Sequence, residues 1–127
     1  MGKEKILTDL NKAIAEFNDA LSTPAQSNLI KAGCIQYFEF CFELAWKTIK
    51  IISAEQGIDC QSPKSCLKQA YQAGWINNEN VWLDMLNTRN RMSHTYDSQS
   101  ALGIYQNLPL YCKEIQSLYH TLSVLKD

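Results

Sequence analysis

The sequence predicts an all-α fold, a compact up-down helical bundle, from glycine and proline placement, apolar periodicity and the lack of strand patterning. Five glycines and three prolines in 127 residues fall at the edges of periodic segments, where they punctuate helices. Apolar residues recur at steps of three and four along most of the chain. No stretch alternates apolar and polar residues as a half-buried strand would. With 46% hydrophobic and 20% charged residues the composition is that of an ordinary folded domain, which excludes a disordered tail. A length of 127 residues suits one domain over 1–127, without room for a separate catalytic module.

Ile6, Leu10, Ala13, Phe17 and Ala20 define the first helix, with one core face. Thr23 as cap and Pro24 at the first helical position open a long second helix that runs to about Gln56, and Gly57 suits the left-handed terminating position. This helix is unusually apolar. Between Cys34 and Ile52 it carries Tyr37, Phe38, Phe40, Cys41, Phe42, Leu44, Ala45, Trp46, Ile49 and Ile51, more than one core-facing stripe can hold. Such a helix is either central in a bundle or shared between a core and a subunit interface. Because a short chain has few helices with which to surround it, a homodimer is expected, against the alternative of a central helix in a monomeric bundle. Glu43 precedes Lys47 by four, a spacing that predicts a surface ion pair.

Ser62-Pro63 repeats the cap-plus-proline start, and the short helix after it ends near Gly74. Another helix begins near Glu79, continues to about Ser93 and breaks around Thr95 to Asp97. Ser98 or Ser100 then caps a final segment that Pro109 kinks or restarts before Ile115, Leu118, Leu122 and Leu125.

Twelve Lys+Arg against thirteen Asp+Glu give a formal net charge of −1, so no global basic field exists to hold long nucleic acid, and any such chemistry must be local. The N-terminal Met1-Gly2-Lys3-Glu4-Lys5 runs into an amphipathic pattern with no apolar signal core. No run approaches the ~20 apolar residues of a membrane span, so no membrane association and a cytoplasmic location are expected. Five cysteines, Cys34, Cys41, Cys60, Cys66 and Cys112, are an odd number with no C-x-x-C pair and no histidine at ligand spacing. They read as reduced thiols packed as small hydrophobes, with no metal site and no cofactor.

The informative anomaly lies in the helix from Glu79. Trp82, Met85, Arg89 and Met92 follow one line, and Leu83, Leu86, Asn90 and His94 follow the next, so two apolar rows finish in polar groups at the same helix end. A guanidinium on an apolar stripe must be paired, must snorkel outward or must face a cleft. Arg89 and Arg91 are the chain's two arginines, while ten lysines supply positive charge elsewhere. Arginine's planar fork binds phosphate in a bidentate way that lysine cannot, and a histidine such as His94 exchanges protons near neutrality. Together they suit attack on a phosphodiester by a ribose 2′-hydroxyl. The plain alternative is an Arg and a His that satisfy terminal carbonyls and the helix dipole.

Arg89-Asn90-Arg91-Met92-Ser93-His94-Thr95-Tyr96 resembles the R-x4-H-x-Y signature of HEPN-superfamily proteins. Tyr37-Phe38-Glu39-Phe40-Cys41-Phe42-Glu43-Leu44-Ala45-Trp46-Lys47, with Ser93-His94-Thr95-Tyr96-Asp97, is similar to the nucleotidyltransferase substrate-binding protein family, relatives of the HepT toxins. The resemblance spans nearly the whole chain. It implies a HEPN-like helical homodimer whose partner is a minimal nucleotidyltransferase, the two forming a toxin–antitoxin pair. It further implies a metal-independent ribonuclease acting on RNA, with Arg89 and His94 from both subunits facing one strand at the dyad, and Asn90 orienting the backbone or His94. A twofold axis would supply one histidine as base, its mate as acid and arginines for the phosphorane charge. Tyr96 corresponds to the tyrosine that the partner enzyme adenylylates, which would place negative charge beside Arg89 and crowd the cleft. A packing tyrosine is the alternative for Tyr96.

Three function classes are thus in play. The first is an endoribonuclease that uses Arg89 and His94 and is silenced at Tyr96. The second is a non-catalytic docking or substrate-binding subunit of the nucleotidyltransferase, which needs no competent His94. The third is a structural dimer with no nucleotide connection.

Overall fold

Ile6, Leu10, Ile14 and Phe17 are buried along one face and make Lys3–Ser22 the first helix, α1, of the computed structural model, which describes residues 2–24, 27–92 and 98–125. Leu10 and Phe17 are fully buried on this face, Ile14 joins it, and Ala13 and Ala20 are only partly covered beside it. Thr23 closes α1, its N–H donating to Ala20 O at 3.2 Å, and does not open the next helix as expected from Thr23-Pro24. That helix, α2, spans Asn28–Glu55 and is capped by Ser27, whose Oγ accepts from the Ile30 N–H at 3.2 Å. Ser27 stands three residues before Ile30, so its hydroxyl reaches an orphan donor that Thr23, four residues further upstream, cannot serve.

The far end of α2 is as the sequence predicts. Gly57 takes φ +79°, and the Ile58 N–H reaches back to Ser53 O at 2.9 Å, which satisfies a terminal carbonyl. Helix α3, Pro63–Gln72, begins with a reciprocal capping box between Ser62 and Ser65, with Pro63 in the first turn, and is followed by Gly74 at φ +79°. Helix α4 spans Glu79–Arg91 and α5 spans Ser98–Ser123. Pro109 neither breaks nor restarts α5, which is helical on both sides of it. Its ring faces the exposed side, so the missing N–H costs one ladder bond to Tyr105 and little else.

Contact registers fix the helix directions. Phe17 meets Phe38 while Ala20 O lies 3.5 Å from Cys34 Sγ, so α1 and α2 run antiparallel. Lys31 sits over Tyr105 and Phe38 meets Tyr111, so α5 runs with α2. Asn78, just before α4, bonds Glu114 while Thr88 near its end bonds Tyr111, so α4 supplies the return between them. The bundle alternates as an up-down arrangement requires. Its core is one cluster in which an aromatic row runs from Phe17 of α1 through Phe38 and Phe42 of α2 to Trp82 of α4, with Tyr111 of α5 joining at Phe38 and ring centroids 5.2 to 6.4 Å apart.

Two further expectations need correction. Cys60 and Cys66 are joined as a disulfide, with Cα atoms 5.1 Å apart, so the five cysteines are not all reduced. The turn between α2 and α3 folds the two thiols into the same buried corner, a proximity that an odd cysteine count does not reveal. Cys34, Cys41 and Cys112 are free and buried, as read from the sequence. The second correction concerns Glu43, which is committed to Trp46 and Arg89 and not to Lys47.

The monomer covers only part of α2. Phe38, Cys41, Phe42, Ala45, Trp46, Ile49 and Ile52 are buried, whereas Phe40 is 52% exposed, and Tyr37, Leu44 and Ile51 are only partly covered. Among the described residues no helix is long and apolar enough to cross a membrane.

Candidate active site around Arg89

Helix α4 buries Trp82, Met85, Leu86 and Thr88 against the bundle, which sets the rotation of its last turn. Thr88 and Tyr111 share a buried hydrogen bond of 3.2 Å that pins this turn to α5. With Thr88 inward, the next residue, Arg89, emerges where α4 passes α2, and its side chain is 32% exposed. Of the possibilities for a guanidinium on an apolar stripe, pairing is the one realised.

Arg89 Nε donates to Glu43 Oε1 at 2.7 Å, a charge-assisted bond between residues 46 apart in sequence. The other carboxylate oxygen, Oε2, accepts from Trp46 Nε1 at 2.9 Å. Arg89 Nη1 donates to Asn90 Oδ1 at 3.2 Å. Among the described residues, neither of these two contacts uses Nη2. The guanidinium is therefore held from two sides by residues of α2 and α4, in surroundings that shield the pair from much of the solvent while leaving it reachable.

Arg89 and Asn90 thus stand together as the sequence suggests, although Asn90 touches the arginine and is itself exposed. His94 and Tyr96 lie outside the described residues. The functional neighbour that sequence reasoning missed is Glu43, along with Trp46 behind it. A usable signal was present: an arginine on an apolar stripe needs an acid, and the apolar run of α2 is interrupted by just two, Glu39 and Glu43. Among the described residues no group of three or more His, Cys, Asp or Glu is placed to hold a metal ion.

Among the described residues, five helices and an arginine clasped by Glu43 and Asn90 at the end of an apolar stripe define an all-helical bundle protein with a paired cation at one helix end. Residues 5–124 match the family model described as "nucleotidyltransferase substrate binding protein like", and the chain belongs to that family. A Haemophilus influenzae protein named "Probable ribonuclease HepT" is 27% identical over 122 residues, covering 89% of this chain and 84% of that protein. A Thermus thermophilus structure superposes with a TM-score of 0.83 at 26% identity, covering 89% of this chain and 98% of its own. A second solved structure, from Haemophilus influenzae, is described as the fold of a substrate binding domain of a nucleotidyltransferase. It superposes with a TM-score of 0.71 at 25% identity, over 95% of this chain and 96% of that one.

Proposed function

We propose that this chain is the HEPN-type partner of a minimal nucleotidyltransferase in a toxin–antitoxin pair, a metal-independent endoribonuclease silenced by adenylylation of Tyr96. The observation that carries the reading is Arg89, held in a half-buried position by Glu43 and Asn90, five residues before His94. A structural arginine could have been left to solvent at the helix end. This one has a fixed orientation, which suits a group that must meet a phosphate of defined geometry.

In the proposed reaction His94 takes the proton of a ribose 2′-hydroxyl as its oxygen attacks phosphorus. The bond from phosphorus to the 5′-oxygen breaks, and His94 of a second subunit returns a proton to that oxygen. The products are a 2′,3′-cyclic phosphate and a 5′-hydroxyl. Arg89 supports the negative charge that gathers on the phosphorane oxygens. Because Glu43 offsets part of that positive charge, the site engages few phosphates at a time, in keeping with a net charge of −1.

The second subunit docks on α2. Tyr37, Phe40, Leu44 and Ile51 follow steps of three, four and seven along one incompletely covered face, and Glu43 lies at its margin. A dimer through this face brings two copies of the Arg89 neighbourhood near the dyad. Adenylylation of Tyr96 then adds a phosphate beside Arg89 and competes with RNA for it.

The test is cleavage of mixed cellular RNA by the purified chain in excess chelator, with His94→Ala alongside. Cleavage by the wild type that vanishes in the variant supports the reading. The description of the family and of the Haemophilus structure favours a second reading, in which the chain presents substrate to a nucleotidyltransferase without cutting RNA. Silence from both proteins, with a stable complex that survives replacement of both Arg89 and His94, would favour that alternative.

A further inference from the structure

Resting on the reading of Arg89 as the residue that meets the scissile phosphate, we infer that Glu43 is a positioning residue of the reaction, orienting Arg89 and tempering its hold on resting RNA. Both oxygens of this carboxylate are engaged: Oε1 accepts from Arg89 Nε and Oε2 from Trp46 Nε1. Trp46 is itself 9% exposed and packed in the core, so it fixes the Glu43 rotamer from the same helix, three residues on. Asn90 holds the guanidinium at a second nitrogen, Nη1. A long flexible side chain is thereby reduced to one orientation before substrate arrives.

The charge of Glu43 matters as well as its shape. It competes with any phosphate for Arg89, which weakens binding of uncleaved RNA. The transition state, in which more negative charge faces Arg89, gains most from a guanidinium already oriented. Removing the carboxylate charge should therefore tighten ground-state binding and slow the chemical step. That split separates positioning from a general loss of folded protein, which lowers kcat by the active fraction and leaves KM alone.

The experiment compares wild type with Glu43→Gln, both carrying Arg91→Lys so that Arg89 contributes the sole arginine Nε–H signal in a nitrogen–proton spectrum. The wild-type side chain should give a shifted, slowly exchanging signal that Glu43→Gln loses. In chelator, Glu43→Gln should lower kcat for RNA cleavage about tenfold and lower KM severalfold, with Glu43→Asp recovering part of kcat. Trp46→Phe, which keeps the ring and removes the N–H, should lower kcat by a smaller factor and provides the test should Glu43→Gln fold poorly. Unchanged kcat in Glu43→Gln, or a fall in kcat at constant KM, overturns the inference. A wild type that retains the protected signal but cleaves no RNA sinks the ribonuclease reading, and the positioning role with it.

Discussion

Thr88 and Tyr111 meet through their hydroxyls at 3.2 Å inside the core, one residue before the arginine of the site. Both are 3% exposed, and the Tyr111 ring also packs 5.2 Å from Phe38, so the pair ties α4 to the aromatic row as well as to α5. Tyr111→Phe strips the Thr88 hydroxyl of this partner, and Thr88→Val does the reverse; each should cost about 1 to 2 kcal/mol. The double variant removes both polar groups and should cost less than the sum of the singles, with a coupling of about 1 kcal/mol. Urea unfolding of the four proteins checks this, and strict additivity would show that the two hydroxyls do not support one another.

Phe40 exposes half its surface at the middle of the incompletely covered α2 face. If a second copy seals that face, Phe40→Glu should halve the particle mass measured by light scattering while leaving helical content unchanged. Placing a charge opposite its own symmetry mate is costly in an isologous interface and harmless on a free monomer. A wild type already monomeric at micromolar concentration would remove the dimer, and the paired histidines with it.

What the sequence reveals best is what local chemistry decides. The Ser62-Pro63 start and the Gly57 and Gly74 endings are set by caps and backbone freedom within a few residues, and each is found where expected. The surplus of apolar side chains on α2 likewise shows as an incompletely covered face. Failures come where distant residues compete. Lys47 lies four residues from Glu43, but an exposed helical pair contributes only a few tenths of a kcal/mol, so the half-buried Arg89 prevails. Thr23-Pro24 reads as the start of α2, but Thr23 closes α1 and the side chain of Ser27 caps the longer helix instead. The Arg89–Asn90 proximity was legible from helical spacing, whereas the acid holding Arg89 depends on how α2 and α4 pack.

The cysteines give a chemical check on the turn between α2 and α3. With Cys60 and Cys66 bonded, an unfolded and unreduced sample should titrate three thiols, and five after reductant. Reduction should lower stability by about 2 kcal/mol or less, since the closed loop is short. Five thiols without reductant would show that the turn holds its shape without the disulfide, on its capping box and backbone hydrogen bonds.

Burial pushes the Cys41 thiol up to about 12, with nearby Cys112 and Glu16 adding to the effect, and pushes Cys112 up to about 11. In the unfolded chain both ionise near 9.0. Below that pH both states hold the proton and the thiols add no pH dependence. Between 9.0 and about 12 the unfolded state releases the Cys41 proton while the folded state keeps it, so stability falls as pH rises. The slope approaches about 1.4 kcal/mol per pH unit for each such group. Lysines and tyrosines add their own alkaline losses, but these are common to wild type and variant. Cys41→Ala should therefore cost about 1 kcal/mol at neutral pH through the small void it leaves, and lose less stability than the wild type on going from pH about 8 to about 11. Thermal melts across that interval decide the matter: converging curves place Cys41 in the alkaline transition, and parallel curves assign the loss to other groups.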